Sequence, residues 1–262
     1  MRVSEAKHAF ITGGSSGMGL GIADALAKHG VAVTIADIFG ERAEAVAAER
    51  GERFQAIVLD ASDRAAWPEA KAKAEATFRP VDILVNNAGI GPDGKEIADI
   101  DPKSFDRLMA VDVTGVLNGI VTFAADMRAR RTGFIVNNSS VLGIVQGYPT
   151  MGSYSAAKAA VVSLSEALRA ELAPHGVGVG VLCPGPVATD LDNSTLREGG
   201  EIGQWPDVKR MSAADVGECV VRGIDNNEDY IISHPDHIEG PAARATAIRN
   251  AFLRQTPEQA SA

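Results

Sequence analysis

Residues 9–19 read AFITGGSSGMG, and this stretch decides the fold. Its apolar start predicts a buried strand, and residues 20–29 carry apolar side chains at helical spacing before Gly30. A strand, a glycine-rich turn and a helix N-terminus in this order form a phosphate-binding arrangement. The glycines let the backbone approach a pyrophosphate, and the helix N-terminus favours its negative charge. The stretch predicts a dinucleotide site at Gly13, Ser15, Ser16, Gly17, Met18 and Gly19.

An acidic residue follows the glycine loop at the end of a second apolar segment, 31–36. Asp37 lies eighteen residues after Gly19, close to the spacing expected of a carboxylate that binds the adenosine ribose. Because a carboxylate accepts hydrogen bonds from the 2′-hydroxyl and repels a 2′-phosphate, we predict NAD rather than NADP, with Asp37 and Ile38 at the ribose. Arg42, which could turn toward a 2′-phosphate, favours NADP, and a helix-capping role for Asp37 stays an alternative.

Composition narrows the class of protein. A chain of 262 residues and 27.3 kDa suits one α/β domain. Its net charge of −9 argues against nucleic acids and anionic membranes as partners, and we expect no stretch that crosses a bilayer. Cys183 and Cys219 read as buried thiols, which predicts a reducing cytoplasm. The five histidines lack metal-ligand spacing, so no metal is expected.

Strand-like and helix-like segments alternate along the chain. Further strands are predicted at 54–59, 81–85, 134–137, 177–182 and 230–233, and helices at 62–78, 102–130, 153–175 and 213–226. Asp101 before Pro102 reads as a helix start, and Ser212 with Asp215 as a capping box. The alternation predicts one doubly wound parallel sheet with helices on both faces and ligands at the carboxyl ends of the strands.

A tyrosine and a lysine lie one helical turn apart in the sequence SYSAAKAA. Tyr154 and Lys158 share a helix face, so the ammonium can lie beside the phenol. An ordinary tyrosine, with a pKa of about 10, is a poor proton acceptor near neutrality, and an adjacent cation favours its phenolate. Ser140, fourteen residues earlier, offers a hydroxyl for a carbonyl oxygen. The pattern predicts an acid/base tyrosine activated by lysine.

Taken together, these motifs resemble the short-chain dehydrogenase/reductase family. The resemblance covers residues 9–234 and rests on TGGSSGMG, on NNAG at 86–89, on the serine, tyrosine and lysine, and on PGPVAT at 184–189. It implies a Rossmann-like fold and hydride transfer between a nicotinamide and an alcohol or carbonyl carbon. It also implies a small-molecule alcohol or ketone substrate and a homo-oligomer, a tetramer or dimer.

The resemblance implies particular roles. Ser140, which stands directly before x-x-Gly as the family's serine does, holds the substrate oxygen, while Ser139 is a structural neighbour. Tyr154 transfers a proton, and Lys158 lowers the tyrosine pKa and binds the ribose. The remaining cofactor contacts are Asp60, Ala61, Asn87, Ala88, Gly89, Pro184, Gly185, Val187 and Thr189. For Asp60, a role at the start of the following helix is nearly as good an interpretation.

One position departs from the family pattern. Many members carry a catalytic Asn where this chain has Asp112, within Val-Asp-Val-Thr-Gly. An ionised Asp accepts hydrogen bonds and donates none, although its backbone carbonyl, which holds a water in the family, survives the exchange. We therefore count Asp112 among the catalytic residues and expect the proton relay to persist. Its charge near Lys158 could weaken the activation of the tyrosine.

Substrate contacts are expected from the loop after Ser140 and from a lid at 190–211, with a C-terminal tail at 235–262. The mostly apolar set predicts an apolar or aromatic secondary alcohol or its ketone. YIISHPD with its helical tail resembles the family's aryl-ether Cα-dehydrogenases. The predicted contacts are Ser140, Val145, Tyr148, Tyr154, Leu191 and Trp205.

Two other functions stay open. A catalytically weak or silent NAD(H)-binding sensor would bind the cofactor without turnover, and Asp112 is the feature that favours it. An NADPH-dependent 3-oxoacyl carrier-protein reductase is disfavoured by Asp37 and by the negative net charge, which repels an acidic carrier.

Overall fold

The computed structural model describes residues 1–145, 147–189, 191 and 210–255. Within these residues, seven strands form one sheet, and every neighbouring pair is parallel. The strands are β1 His8–Thr12, β2 Ala32–Asp37, β3 Phe54–Val58, β4 Ile83–Asn86, β5 Phe134–Asn138, β6 Gly178–Cys183 and β7 Tyr230–Ile232. Their order in the sheet is β3-β2-β1-β4-β5-β6-β7, so the predicted doubly wound α/β sheet is confirmed.

Helices connect the strands and cover both faces of the sheet. Asp101 starts one of them by accepting a hydrogen bond from the Lys103 amide, and Ser212 starts another by accepting from the Asp215 amide, as predicted. The helices are α1 Gly17–Lys28, α2 Gly40–Arg50, α3 Trp67–Thr77, α4 Pro102–Met109, α5 Gly115–Arg130, α6 Gly152–Leu172, α7 Ala213–Asn226 and α8 Glu239–Gln255.

Alternating side chains of the strands supply two separate cores, because successive residues of a strand point to opposite faces. On one face, Ile11 packs with α1 and α7 through residues such as Leu26 and Val220. On the other face, Phe10 packs with Trp67 of α3 and the aromatic ring of α5 at position 123. Both faces of the sheet are therefore buried under helices, and the carboxyl ends of the strands remain accessible to ligands.

The third helix begins later than the sequence suggests. We predicted a helix over 62–78, but α3 starts at Trp67, after a 3-10 turn at Arg64–Ala66. Asp60 accepts hydrogen bonds from the amide and hydroxyl of Ser62, and Asp63 accepts from the Ala65 amide. These local side-chain bonds satisfy backbone donors without a helix, so the expected start was wrong.

The predicted helix over 102–130 is continuous but contains a π-helical turn at Ala110–Thr114, between α4 and α5. Such turns insert a residue into the helix and displace side chains, and they often mark functional sites. By length and composition alone this helix is long and apolar enough to cross a bilayer, although Asp112 and Asn118 interrupt its apolar run. Half of its most apolar part is buried in the protein, as in a core helix.

The chain changes direction at β1, which lies between β2 and β4. From β1 the sheet grows first toward β3 and then toward β7, so the loops after β1 and β4 leave on opposite faces. A crevice forms at this switch point, outside the carboxyl ends of the strands. The glycine loop, Asp37 and the NNAG motif all follow strands around this crevice.

Candidate active site

The glycine loop allows the chain to approach its neighbours closely. Gly13 has a φ of +62°, and a Cβ there would lie 3.0 Å from the Ala88 Cα. Gly19, in the first turn of α1, is packed so that a Cβ would lie 2.1 Å from the carbonyl oxygen of Gly13. Ser16, the N-cap residue of α1, makes no side-chain cap bond. Ser16, Gly17 and Met18 of this helix start line the crevice, and uncapped amides of a helix N-terminus can bind an anion.

Thr12 and Asn87 join the glycine loop to the NNAG motif. The Thr12 hydroxyl accepts hydrogen bonds from the amides of Asn87 and Ala88, at 2.9 and 3.0 Å. The Asn87 side-chain amide donates to the carbonyls of Thr12 and Gly13. Asn86 instead donates to the side chain of Asn137 and tethers β4 to β5. The two motifs thus form one rigid wall.

A cavity of about 540 Å³ follows this wall along the carboxyl ends of β1, β2 and β4. Its volume lies in the range of ligand pockets. Ser15 and Gly19, which were also predicted as cofactor contacts, do not line this cavity. Most of the predicted cofactor residues do line it, namely Gly13, Ser16, Gly17, Met18, Asp37, Ile38, Asp60, Ala61, Asn87, Ala88, Gly89, Tyr154, Lys158 and Thr189.

Asp37 is buried at one end of this cavity and is held on both carboxylate oxygens. Its Oδ2 accepts from the amide and hydroxyl of Ser15, at 3.2 and 2.6 Å, and its Oδ1 accepts from the Phe39 amide at 3.1 Å. Arg42 lies 3.5 Å from Oδ1, donates to the Ser15 hydroxyl, and stacks its guanidinium 4.6 Å from the centre of the Phe39 ring. The arginine is therefore anchored beside the carboxylate.

At the other end, Ser140, Tyr154 and Lys158 come together as predicted. Ser140 directly follows β5 and accepts a hydrogen bond from the Leu142 amide, which fixes the turn after it. Tyr154 and Lys158 lie in the first two turns of α6, with Nζ 5.3 Å from the centre of the tyrosine ring. All three side chains are buried, and Tyr154 is hydrogen-bonded to Ser140. Ser139 donates to the Lys158 carbonyl and so acts structurally.

Asp112 points from the π-helical turn directly at Lys158. Its Oδ2 lies 3.0 Å from Nζ, and its Oδ1 accepts a hydrogen bond from the Ile90 amide at 2.8 Å. Lys158 also donates to the Asn138 carbonyl at 3.1 Å. The Asp112 side chain is 0% exposed and that of Lys158 3%. The structure thus confirms the expected position of the Asp112 carboxyl group beside the Lys158 ammonium.

The buried carboxylate changes the electrostatic balance of the tyrosine. Burial raises the pKa of Tyr154, Lys158 lowers it and Asp112 raises it, while the Ser140 hydrogen bond lowers it, and the net pKa lies above the ordinary value. For Lys158, burial lowers the pKa, but Asp112 and then Tyr154 outweigh burial and raise it. We expected lysine to bring the tyrosine pKa down. Lys158 does lower that pKa, as predicted, but burial and Asp112 together outweigh it, so the net pKa is raised.

A second cavity, of about 470 Å³, meets the first at Tyr154. Met18, Thr189 and Leu191 also border both cavities. The walls of the second cavity are largely apolar. They include the predicted substrate contacts Ser140, Val145, Tyr148, Tyr154 and Leu191. Trp205 and residues 192–209 of the predicted lid lie outside the described residues. Pro184, Gly185 and Val187, predicted as cofactor contacts, line this second cavity close to Thr189, which borders both.

Residues of the C-terminal segment also line the second cavity, which the sequence analysis treated only as a tail. They contribute charged and polar groups opposite the tyrosine. The signal was present in the sequence, because SHPDHIEG directly follows the last strand at the carboxyl edge of the sheet. The lining residues of this segment that we missed are Asp236, His237, Glu239 and Gly240. Val141, Leu142, Pro186 and, at the end of the predicted lid, Arg210 also line the cavity without having been predicted.

Neither metal ligation nor thiol chemistry is indicated. In residues 1–145, 147–189, 191 and 210–255, no cluster of three or more His, Cys, Asp or Glu side chains could hold a metal ion. Cys183 and Cys219 are buried and unpaired with each other. Burial raises the pKa of the Cys183 thiol to about 12, so it is a neutral core residue beside the site.

Known proteins share this sequence pattern. A family model described as short chain dehydrogenase matches residues 7–199. The chain is 34% identical over 262 residues to the C alpha-dehydrogenase of Sphingobium sp., covering 92% of this chain and 84% of that protein. It is 32% identical over 241 residues to 2-(S)-hydroxypropyl-CoM dehydrogenase 3 of Xanthobacter autotrophicus, covering 88% and 94%. An inactive 2-(S)-hydroxypropyl-CoM dehydrogenase 2 of that organism is 41% identical over 176 residues, covering 67% and 76%.

Solved structures agree over the whole chain. A short chain dehydrogenase/reductase from Burkholderia phymatum in complex with NAD has a TM-score of 0.87 at 27% identity, and the match covers 100% of both chains. A short-chain dehydrogenase from Sphingobium yanoikuyae in complex with NADPH has a TM-score of 0.79 at 26% identity, covering 98% of both chains. These proteins therefore share the fold and bind either nicotinamide dinucleotide.

Proposed function

The chain belongs to the short-chain dehydrogenase family of oxidoreductases, and from that premise we propose that it oxidises a secondary alcohol with NAD or reduces the corresponding ketone. One observation carries the proposal. Tyr154 forms part of the wall between the two cavities, with Ser140 facing one cavity and Lys158 facing the other. A substrate in the second cavity and a dinucleotide in the first would meet at its hydroxyl.

The residues of the first cavity fit a dinucleotide. The start of α1 presents backbone amides to a pyrophosphate, Asp37 lies where a ribose would place its hydroxyls, and Lys158 lies at the opposite end. A nicotinamide bound there would supply the hydride acceptor or donor. The protein would contribute binding, orientation and the proton.

The proton is the part of the reaction that this chain controls. In alcohol oxidation, the Tyr154 phenolate would take the hydroxyl proton of the substrate, while Ser140 holds the same oxygen by a hydrogen bond. Lys158 stabilises the phenolate, and its ammonium is kept in place by Asp112 and by the Asn138 carbonyl. In ketone reduction, the neutral tyrosine would return the proton.

NAD is the cofactor that the adenosine end favours. The Asp37 carboxylate is buried and held by four donors, so its negative charge stays where a 2′-phosphate would have to lie. Arg42 is the group that could accept such a phosphate, but it is anchored to Asp37 and Ser15. A carboxylate at that position supports NAD because it attracts a ribose hydroxyl and repels phosphate.

The second cavity supports an apolar or aromatic alcohol. Leu142, Val145, Pro186 and Val187 provide apolar walls, and Tyr148 an aromatic ring. Asp236, His237 and Glu239 of the C-terminal segment also line this cavity, and they could bind a polar group at the far end of the substrate. The relative from Sphingobium sp., named a C alpha-dehydrogenase, supports dehydrogenation as the reaction.

Cofactor titration and an alcohol screen test the proposal. NADH and NADPH are titrated separately by the change in nicotinamide fluorescence, and NADH should bind at least about tenfold more tightly, or 1.4 kcal/mol. Aromatic, alicyclic, steroid-like and sugar alcohols are then screened for NADH production. Tighter binding of NADPH would contradict the NAD assignment and would favour the alternative function, an NADPH-dependent 3-oxoacyl carrier-protein reductase.

A second function, a nucleotide-binding protein with little or no turnover, is favoured by the Asp112–Lys158 pair. Neutralising the lysine leaves the tyrosine harder to ionise. One relative in the family is named inactive, which shows that the fold exists without the activity. Tight NADH binding with no NADH production from any alcohol up to about pH 10 would select this function.

We also propose a cellular compartment and an oligomeric state for the enzyme. Two buried free thiols support a reducing cytoplasm, and family analogy supports a tetramer or dimer. Light scattering of the purified protein measures the oligomeric state directly.

A further inference from the structure

The last strand and the strand before it end side by side, and the turns that follow them are bonded together. Cys183 of β6 pairs with Ile232 of β7. The chain then continues as 184–187 from the first strand and as 233–237 from the second. Residues of both turns line the second cavity. His234, in the second turn, is 8% exposed and is not explained by the reaction proposed above.

His234 accepts a backbone hydrogen bond from the first turn. The Gly185 amide donates to its Nδ1 at 3.1 Å and also approaches the Ser233 hydroxyl at 3.3 Å. The Ser233 hydroxyl also lies 2.7 Å from Nδ1. We assign the tautomer in which Nδ1 is unprotonated, because it can then accept from both the Gly185 amide and the Ser233 hydroxyl while Nε2 carries the proton.

The ring also fills the space that glycine leaves. A Cβ on Gly185 would lie 2.7 Å from the His234 Cγ, so the imidazole rests directly on the glycine backbone. Burial and the neighbouring His237 hold the pKa of His234 below its ordinary value. The ring is therefore neutral at neutral pH, and Nδ1 remains available to Gly185.

On its other side, His234 touches the wall of the second cavity. Its ring centre lies 5.4 Å from that of His237, which lines the cavity. The following helix, α8, is attached to the loop after Ser140. Arg244 donates to the Gly143 carbonyl at 3.2 Å, and Gly240 packs against Val145. The C-terminal segment thus connects both sides of the cavity.

We propose that His234 is a positioning residue that fixes the turn 184–187 at the nicotinamide end of the cofactor site and joins it to the C-terminal wall of the substrate cavity. The inference rests on the proposed function, because it takes this turn to face the nicotinamide. Without the Nδ1 acceptor, the Gly185 amide loses a buried partner and the turn loses its fixed position. Binding of the nicotinamide half of the cofactor should then weaken, while binding of the adenosine half stays unchanged.

Three substitutions separate this role from general packing. His234→Asn places an amide oxygen near Nδ1 and can still accept from Gly185. His234→Gln reaches only toward Nε2 and loses that acceptor, and His234→Phe keeps a ring but loses both polar atoms. His29→Ala, on the exposed end of α1, is the matched control. Each protein is titrated with NADH and with ADP, and amide hydrogen exchange at Gly185 is followed without cofactor.

The Gln and Phe variants should bind NADH about tenfold more weakly, the effect expected when a buried amide loses its partner. They should bind ADP as the wild type does and exchange the Gly185 amide faster. The Asn variant and the His29→Ala control should resemble the wild type. If the Phe variant does not fold, the comparison of the Asn and Gln variants tests the inference by itself.

Two results would overturn the inference. Unchanged NADH affinity and unchanged Gly185 exchange in the Gln variant would show that the bond positions nothing. Equal losses for NADH and ADP would show a general structural defect. Either result leaves the proposed function standing if the wild type binds NADH. A wild-type protein that binds neither ligand would instead reject the proposed function and this inference together.

Discussion

Two carboxylate–cation pairs lie at opposite ends of the same cleft, and they differ mainly in burial. Asp112 and Lys158 are both inside the protein, with side chains 0% and 3% exposed and 3.0 Å between Oδ2 and Nζ. Asp37 is also buried, but Arg42 is 37% exposed, and their closest atoms are 3.5 Å apart. The first pair adjoins Tyr154, the proposed acid/base, and the second lies where the adenosine ribose is proposed.

The comparison shows how one kind of interaction serves two purposes. A buried charge is poorly screened by water, so both members of the inner pair shift the pKa of Tyr154, Lys158 downward and Asp112 upward. A half-exposed arginine is screened by solvent, and its contribution to stability is small. We therefore expect the inner pair to control proton transfer and stability, and the outer pair to control the choice of cofactor.

The largest effect is expected from Tyr154→Phe, which removes the group that the inner pair surrounds. Loss of a positioned acid/base should reduce kcat by about 10² to 10⁴ fold, while NADH affinity changes little. Steady-state kinetics with the best alcohol of the screen, together with NADH titration, measure both. Tyr230→Phe, whose hydroxyl bonds Glu166 away from the site, is the control. Full turnover by the Tyr154 variant would remove the basis of the proposed mechanism.

Asp112→Ala tests how much stability the inner pair supplies. The substitution leaves the Lys158 ammonium buried without its counter-ion, which should lower the free energy of unfolding by about 3–5 kcal/mol. Urea unfolding followed by circular dichroism gives the value. A loss below about 1 kcal/mol would mean that solvent or movement of the lysine compensates, and the contrast with the outer pair would disappear.

Asp37→Ser tests whether the outer pair chooses the cofactor. The change removes the charge that repels a 2′-phosphate and releases Arg42 to bind one. The ratio of NADPH to NADH affinity should rise by at least about tenfold, or 1.4 kcal/mol. Fluorescence titration with both cofactors measures the ratio. The double variant with Arg42→Leu should lose the gain in NADPH affinity, and an unchanged ratio in Asp37→Ser would contradict the assignment.

Asp112→Asn keeps the shape of the inner pair and removes its negative charge. Burial raises the Tyr154 pKa, and the Asp112 charge raises it further, so its removal should lower that pKa. Because oxidation requires the phenolate, the rise of kcat/KM with pH should move to lower pH. A pH–rate profile measures the shift. An unmoved profile would show that the tyrosine does not sense this carboxylate, and a large gain in kcat would identify a compromised catalyst.

The smallest effect is expected from Arg42→Leu alone. The half-exposed pair should contribute less than about 1 kcal/mol to stability, and NADH affinity should stay within about threefold of the wild type. Urea unfolding and NADH titration test both values. A loss as large as that of Asp112→Ala would show that the two pairs are equivalent and that burial is not the deciding difference.

Several features were predictable because they depend on local spacing. The glycine loop between a strand and a helix, and Tyr154 one turn before Lys158, are arrangements of near neighbours in the chain, and helix geometry carries them directly into the structure. Asp37 at the end of its strand belongs to the same group. The start of α3 escaped prediction because Asp60 and Asp63 bond nearby backbone groups, a competition that apolar periodicity does not record.

The sequence alone determined the alternation of strands and helices, the dinucleotide-type loop and the residue types brought to the active site. Only the tertiary structure decided that Asp112 reaches Lys158 and raises the tyrosine pKa, and that His234 accepts from Gly185, forty-nine residues away in the chain. The reason is physical. Desolvation and charge–charge distances depend on which distant segments pack together, whereas periodicity and motif spacing describe only near neighbours along the chain.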